Sequence, residues 1–491
     1  MGHSLSTGAS PGTTTPSNEE EKLRSPKERA KAAVLGAFVA DAASMPLHRI
    51  YDQGAIEALL RGGETAAAQV AGSPGSDDGG QRTKMTPCEF FSPCSCPFYT
   101  LPPGQSTPYG KEAFPILYSI SSCGVFDKER ASQLLFECMR GIDVSEDCPS
   151  SSVAASSVPA APVRAAVSEA GSVESGSSGE SRSGSSLDKS RLESADDFDA
   201  GASSSDAGSP GSTRYAAQLQ ADYRLNPKML STTSRQFLQA RARGLSWDEF
   251  AAPHAAALDA QGLALVKVPL IVARYAGSHK LIPMVESCVR IHQTSEAVLV
   301  VCRLAARLLE RVVLGMTVTE ALGWALAGGG QITGASDTSS SSTSSSSSSA
   351  SATAALADAM PENERWYLRR VLKTTGFGSA GTPAPCPFSV TAEGLGLDGQ
   401  LPGCFLTTLA ALHVFKDYKT ALRANMVAGG DSALRAWIIG SMLAAEGSEI
   451  PLAWKDKTVL YQEVLILATR VVGSNPAFDR LKEVNFCRVS L

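Results

Sequence analysis

The sequence predicts an all-α fold, and three observations support this prediction. Apolar residues recur with a helical period in each ordered stretch of the 491-residue chain. The alternation of apolar and polar residues that marks half-buried strands appears nowhere between hairpin turns. The segments between these stretches are dominated by Ser, Gly, Ala, Thr and Pro, and they bury too little apolar surface to offset their ordering entropy. We therefore expect a compact multi-helix bundle with long disordered insertions.

These low-complexity segments define the predicted domain organisation. Residues 1–27 are expected to form a disordered tail. Residues 28–482 are expected to form a single helical domain, which insertions at 144–213 and 331–360 interrupt. The remaining blocks supply enough apolar residues for one sizeable core.

The first ordered block is predicted to begin with a helix. Small and apolar residues recur on a helical period over residues 32–45, and Pro46 ends the run. Gly36, Ala40 and Ala43 are small, which would let another backbone pack closely against this helix. Two more helices are predicted after a loop rich in proline and glycine, and they cover the following ranges: 111–121 and 128–140.

The second and third blocks read as helix after helix. A helix is expected to end at Gly244. The apolar segment GLALVKVPLIVARYAG is compatible with a buried strand, but its position between helices favours a buried helix that is broken near Pro269 and closed by Gly277. One or two amphipathic helices follow over 281–315, and three closely connected helices over 403–447.

The stretch NMVAGGDSALRAW joins two of these helices through two glycines and one acid. Gly429 and Gly430 permit the turn, and Asp431 is well placed as the N-cap of the next helix. Mg²⁺ requires several hard oxygen ligands, of which one aspartate supplies one, so Asp431 is either a cap or part of a metal site. The glycines of GLGLDG, residues 394–399, match a dinucleotide loop, but no strand precedes them and we interpret the segment as an ordinary loop.

Charge and composition exclude several classes of function. The net charge of −5 comes without a basic stripe, so no nucleic-acid partner is expected. We found no secretory signal and no apolar run long enough to span a bilayer, which predicts a cytoplasmic protein with reduced thiols. Gly2 and Ser6 match an N-myristoylation pattern that a polar tail also matches by chance. The oligomeric state is left open.

Patterns for a zinc site or a catalytic nucleophile are weak. Cys88, Cys94 and Cys96 lie close together, but no His or further Cys pair completes a zinc pattern, so a loop with small apolar thiols is the alternative. The histidines are dispersed, and no nucleophile elbow occurs.

Three stretches together resemble the ADP-ribosylglycohydrolase superfamily, which includes dinitrogenase-reductase-activating glycohydrolases and the J-type crystallins of eye lenses. The stretches cover residues 32–52, 258–298 and 401–454. The third is the most specific, because an L-P-G start, a helix ending in A-G-G-D and an I-P-x-x-W close follow in family order. The crystallin-like branch is favoured by the segments SMPLHRIYD, STPYG and GGDSALRA.

The resemblance implies a helical groove in which working members hold two Mg²⁺ ions and cleave the glycosidic bond that joins ADP-ribose to a side chain or small acceptor. It implies catalytic roles for Asp41, Asp52 and Asp259, and a metal ligand at Asp431. It places six further residues in the substrate groove: His48, Tyr109, Gly110, Gln261, Gly429 and Gly430.

The acidic clusters of working members are depleted in this chain. The first cluster reads STPYG, residues 106–110, and contains no carboxylate. The second acid of the last block is replaced by Ala433, and His48 stands where an acid is common. We therefore expect one Mg²⁺ ion at most, and weak binding.

Two functions from different classes follow. The first is a hydrolase of ADP-ribosyl linkages, in which four aspartates share one Mg²⁺ and one of them acts as base. The second is a non-catalytic relative, either a crystallin-like structural protein or a protein that binds an ADP-ribose-type ligand without hydrolysing it. Both readings require one cleft surrounded by Asp41, Asp259 and Asp431.

Overall fold

The computed structural model describes residues 24–70, 86–140, 210–251, 261–328, 360–375 and 387–480. Every regular element within these ranges is a helix, and the extended pairing there is limited to two isolated antiparallel bridges, Ile50 with Gly430 and Gln261 with Gln400. The predicted all-α class is therefore confirmed. Asp259, a predicted catalytic residue, lies outside the described residues.

The chain divides into two units. One is formed by residues 1–144 together with 215–491, and the other by residues 145–214. Of the second unit, only residues 210–214 are described. Nearly all of both predicted insertions and most of the predicted tail lie outside the described residues, so the predicted single domain from 28 to 482 stays a prediction. The described exceptions were predicted to be disordered, but residues 210–213 begin the helix Pro210–Leu225 and Met360 is buried.

Four helices and a short 3-10 turn lie in the part of the first block that the structure describes. The elements are α1 Pro26–Ser44, the turn Met45–Leu47, α2 Gln53–Val70, α3 Pro108–Cys123 and α4 Lys128–Met139. A capping box between Ser25 and Glu28 starts α1, because each residue's side chain bonds the other's backbone N–H. The helices predicted over 111–121 and 128–140 are confirmed, and Pro46 lies in the turn that ends α1.

The described residues of the second block form seven helices and two 3-10 turns. They are α5 Pro210–Leu225, the turn Pro227–Met229, α6 Thr232–Ala242, α7 Trp247–Ala251, the turn Gly262–Lys267, α8 Val268–Tyr275, α9 Leu281–Val289, α10 Glu296–Val313 and α11 Val318–Leu326. The broken helix predicted near Pro269 is a 3-10 turn that continues as α8. Gly244 and Gly277 follow α6 and α8 with φ of 74° and 77°, as expected for helix stops.

The described part of the third block contributes seven helices with defined ends, and residues 476–480 are also helical. The seven helices are α12 Glu362–Thr375, α13 Phe388–Leu395, α14 Gly403–Val414, α15 Tyr418–Ala428, α16 Ser432–Glu446, α17 Leu452–Lys457 and α18 Tyr461–Gly473. The three helices predicted over 403–447 are α14, α15 and α16. All but one residue of α16 are buried, so this helix lies at the centre of the core.

Helices α1 and α16 cross in direct backbone contact. A Cβ on Gly36 would lie 2.4 Å from the carbonyl oxygen of Gly440, and a Cβ on Gly440 would lie 2.6 Å from the Cβ of Ala40. The small face predicted for α1 thus packs against another backbone. Because the end of α1 lies beside the start of α16, residues that follow α1 meet residues that precede α16, and the candidate site forms there.

One described helix, Pro26–Leu47, is long and apolar enough to cross a membrane. Of its apolar window, 89% is buried inside the protein, as in the core helix of a globular fold. The described residues therefore contain no clear transmembrane segment.

Candidate functional site

The turn before α16 is held between two other segments of the chain. Gly430 N–H donates to the carbonyl of Ile50 at 2.6 Å, and Arg49 N–H donates to the carbonyl of Gly430 at 2.8 Å. Asp431 N–H donates to the carbonyl of Leu397 at 2.7 Å. Gly430 has a φ of 68°, and a Cβ on it would lie 2.2 Å from the Leu397 oxygen. Close backbone approach and a left-handed conformation together require glycine at this position.

The Asp431 carboxylate is enclosed by hydrogen-bond donors. Its Oδ1 lies 2.9 Å from His48 Nε2 and accepts from Leu434 N–H at 3.4 Å, which confirms the predicted N-cap. Its Oδ2 accepts from the Tyr109 hydroxyl at 2.5 Å and lies 3.6 Å from Arg49 Nε. Asp431 itself is 2% exposed. Both carboxylate oxygens are therefore engaged by this chain's own side chains.

The protonation states of this cluster follow from its burial and its partners. Burial lowers the pKa of His48, which the neighbouring Asp431 only partly opposes. A neutral His48 donates Nε2–H to Asp431 and accepts at Nδ1 from the Tyr99 hydroxyl, which lies 2.6 Å away. Burial acts to raise the pKa of Asp431, but His48, Arg49 and Tyr109 outweigh it and hold this pKa well below its usual range. Asp431 is an anion beside a neutral imidazole.

Arg435, which the sequence reasoning did not single out, stabilises the same turn. Its side chain donates from Nε to Asn425 Oδ1 at 2.7 Å, from Nη1 to the Leu397 carbonyl at 2.8 Å, and from Nη2 to the Gly429 carbonyl. Arg435 is 1% exposed. An arginine one turn into an otherwise apolar helix is the sequence signal that identifies such a residue, because its charge requires buried acceptors.

The loop after α13 also belongs to the site, although the sequence analysis interpreted GLGLDG only as a loop. A Cβ on Gly399 would lie 2.7 Å from Asp431 Oδ2. Gly262 N–H donates to the Gly399 carbonyl at 2.8 Å, and Gln261 bridges to Gln400. These contacts bring the predicted groove residue Gln261 to the loop that covers Asp431.

Asp41 meets the first turn of α3, the same turn that meets Asp431 through Tyr109. Its carboxylate accepts from both the backbone N–H, at 2.9 Å, and the hydroxyl of Thr107. A Cβ on Gly110 would lie 2.5 Å from Asp41 Oδ2. The structure therefore brings two of the three predicted cleft aspartates to one helix terminus, but Asp41 is fully buried.

The remaining predicted residues lie in different surroundings. Asp52 is exposed, and its Oδ1 accepts from Ala55 N–H at 3.1 Å near the start of α2. The predicted groove residues His48, Tyr109, Gly110, Gly429 and Gly430 are buried around Asp431 rather than exposed in an open groove. Arg49, which contacts Asp431, is a site residue that the sequence analysis did not select.

A surface groove of about 930 Å³ lies next to the Asp431 cluster. It is lined by residues between Arg49 and Gly62 and between Phe91 and Pro97, and it includes Asp52. The Arg49 side chain is 18% exposed and also contacts Asp431, so it joins the groove to the buried cluster.

The titration of Asp41 leads to a testable pH dependence. Burial, opposed by the hydrogen bonds from Thr107, raises the pKa of Asp41 from 3.8 to about 7. Between these values the folded chain binds more protons than the unfolded chain, so this residue lowers stability as the pH rises, by roughly 4 kcal/mol in total. Asparagine at position 41 cannot ionise. The free energy of unfolding of Asp41→Asn should therefore increase relative to that of the natural chain as the pH rises.

The free energies of unfolding of both chains, measured by urea denaturation near about pH 5 and about pH 8, test this dependence. Comparing the difference between the two chains removes the contributions of all other titrating groups. An unchanged difference at the two pH values would show that Asp41 ionises normally in the fold.

Comparison with known proteins identifies the family to which this helical chain belongs. The ADP-ribosylglycohydrolase family matches residues 22–477, which is nearly the whole chain. The chain belongs to the ADP-ribosylglycohydrolase family, as the resemblance in the sequence predicted.

Two individual proteins are similar over different extents. Crystallin J1B of Tripedalia cystophora is 37% identical over 79 residues, which cover 16% of this chain and 24% of that protein. The match thus spans about a quarter of the curated relative. A solved ADP-ribosylglycohydrolase-related protein complex is 15% identical, with a TM-score of 0.46, over 92% of this chain and 99% of its own.

Proposed function

We propose that this chain is an ADP-ribosylglycohydrolase relative that binds an ADP-ribosyl ligand without hydrolysing it. The observation that carries the proposal is the enclosed carboxylate of Asp431. A carboxylate oxygen has two lone pairs: His48 and the Leu434 N–H occupy those of Oδ1, and Tyr109 occupies one of Oδ2. The Arg49 guanidinium lies 3.6 Å from Oδ2, where its positive charge opposes a divalent cation. The charge of Asp431, which the family resemblance assigns to a metal ion, is therefore balanced by side chains of the protein.

The donor set of the described residues supports the same proposal. No group of three or more His, Cys, Asp or Glu side chains suited to a metal ion occurs among them. The two oxygens of Asp41 are likewise engaged at the start of α3. Two Mg²⁺ ions require near-octahedral oxygen ligands that this part of the chain does not supply.

The groove next to the cluster supports ligand binding. Its volume of about 930 Å³ lies within the range of typical small-molecule sites, roughly 300–1,000 Å³. Its walls combine apolar and aromatic groups with Arg49 and Asp52, which is the usual composition of such sites. An ADP-ribosyl group is the ligand that the family relationship favours.

The second candidate is a hydrolase that uses Asp41 as acid or base. The raised pKa of Asp41, about 7, favours it because proton transfer near neutral pH is most effective from such a group. Asp41 is completely buried, however, which disfavours direct contact with a substrate.

Titration calorimetry with ADP-ribose, in EDTA and then in excess Mg²⁺, tests the proposal together with an assay for release of ADP-ribose from an ADP-ribosylated peptide. We expect binding in EDTA that Mg²⁺ does not strengthen, and no release. Release that requires Mg²⁺ and is lost in Asp431→Asn would establish the hydrolase with a metal at Asp431. Release that is metal-independent and lost in Asp41→Asn would establish the second candidate. Absence of both binding and release would leave the crystallin-like structural function.

A further inference from the structure

Arg49 is held in a backbone conformation that arginine rarely adopts. Its φ is 62°, in the left-handed region, where a side chain is disfavoured. The conformation is maintained because Arg49 N–H donates to the Gly430 carbonyl while Gly430 N–H donates to the carbonyl of Ile50. Strain of this kind is tolerated where the surrounding contacts over-determine it, and it is common at ligand sites.

The Arg49 guanidinium contacts the Asp431 cluster through one edge. Its Nε lies 3.6 Å from Asp431 Oδ2, and its Nη2 donates to the Tyr109 hydroxyl at 3.4 Å. The guanidinium carbon lies 5.2 Å from the centroid of the Phe98 ring, over its face. Nη1 makes no hydrogen bond within the described part of the chain. One edge of the fork, Nε with Nη2, is therefore engaged, Nη1 keeps unused donors, and the 18% exposed side chain lines the groove.

The anchoring anion does not depend on Arg49 alone. Asp431 also accepts from His48, Tyr109 and Leu434, so a second anion that approaches Arg49 does not leave this carboxylate without donors. The acid that shares the groove wall is Asp52, whose Oδ1 is engaged by Ala55 N–H. A pre-oriented guanidinium with a free edge, on an aromatic support, is suited to the oxygens of a phosphate group.

We infer that Arg49 is the anion-binding residue of this groove and holds a phosphate group of a nucleotide ligand without a metal ion. The inference rests on the proposed function and adds the recognised chemical group, the residue and the absence of a metal requirement. The ligand class is a nucleoside carrying a monophosphate or diphosphate. Tyr51 of the same groove is exposed and offers aromatic surface to its base.

Calorimetry in EDTA with three probes tests the role of the phosphate. AMP and ADP-ribose should bind, while adenosine, which lacks the phosphate, should bind about tenfold or more weakly. Affinity for AMP should also fall with added salt, because the ion pair is partly exposed to solvent. Equal affinity for adenosine and AMP would overturn the inference and leave the proposed function standing. Failure of all three probes to bind would contradict both.

A pair of variants at Ala58 locates the anion site without altering the Asp431 cluster. Ala58 is exposed on α2 and lines the same groove as Arg49. Ala58→Glu introduces a carboxylate, and Ala58→Gln introduces a neutral side chain of the same size with a similar helix propensity. We expect AMP to bind Ala58→Glu about tenfold or more weakly than Ala58→Gln. Equal affinities of the two variants would place the phosphate elsewhere.

Arg49→Lys provides the direct test, because lysine keeps the charge but lacks the planar fork. A loss of AMP affinity of about tenfold is expected, with the melting temperature followed in parallel to confirm folding. Full affinity in a folded Arg49→Lys variant would show that a fixed guanidinium is not required.

Discussion

Replacing Asp431 with alanine is expected to lower the free energy of unfolding by about 3–5 kcal/mol, the loss typical when one partner of a buried ionic pair is removed. The variant leaves His48 and Tyr109 with donors that lack an acceptor, and it leaves the largely buried Arg49 without its anion. Urea denaturation in EDTA, followed by circular dichroism, measures the loss.

A second aspartate provides a matched control for this loss. Asp417 is the N-cap of α15 and accepts from Thr420 N–H at 2.7 Å, but it is exposed. Asp417→Ala should cost about 1 kcal/mol, as removal of a cap usually does. Equal losses for the two variants would mean that Asp431 acts only as a helix cap.

Asp431→Asn removes the negative charge but keeps the shape of the side chain, so it shows how much of the stability depends on the charge. The amide keeps one acceptor oxygen but turns an NH₂ group toward a donor, so an intermediate loss is expected. The free energy of unfolding of the natural chain is also measured with and without Mg²⁺. If Mg²⁺ raises it for the natural chain but not for Asp431→Asn, then the Asp431 carboxylate binds the metal, and the enclosed geometry is not the geometry of the metal-bound protein.

The second large effect is expected at the crossing of α1 and α16. Gly440→Ala would place a Cβ 2.6 Å from both the Ala40 Cβ and the Gly36 carbonyl oxygen. Because the neighbours are backbone atoms and a short side chain, they cannot rotate away, and the two helices must separate. We expect a loss of about 3 kcal/mol in the free energy of unfolding, at the upper end for overpacking.

A second glycine-to-alanine substitution serves as a control, because it is expected to raise stability rather than lower it. Gly323 lies on the exposed face of α11, and a Cβ there would meet nothing within 4 Å. Gly323→Ala should raise stability by about 0.5–1 kcal/mol, because alanine loses less backbone entropy in a helix. If both alanine variants change the melting temperature in the same direction, the helices do not touch at Gly440.

Local features of the chain were predictable because they depend on residues near one another in sequence. Pro46 cannot continue a helix, Gly277 accepts a left-handed conformation, and Asp431 caps the helix that follows it. The small residues of α1 indicated close backbone packing, but nothing in the chain near them indicated that the partner would be Gly440. The broken apolar segment was predicted as helical, while its 3-10 geometry was not.

The site residues could be predicted from the sequence only in part. The family resemblance selected Asp41 and Asp431, and both meet the first turn of α3. It also selected Asp52, which lies apart from them on the groove wall. It passed over Arg49 and Arg435, because an arginine that pairs with a distant carboxylate or with turn carbonyls has no spacing signature in the chain.

The sequence by itself determined the helical class, the family and the helix termini, since each depends on periodicity, capping or ordered motifs within a short span. Only the tertiary structure decided what Asp431 does. Its partners come from the segment after α1, from α3 and from the loop after α13, which are hundreds of residues away in the case of His48 and Tyr109. A carboxylate binds whatever the fold brings within about 3 Å, and in this chain the fold brings donors to both oxygens.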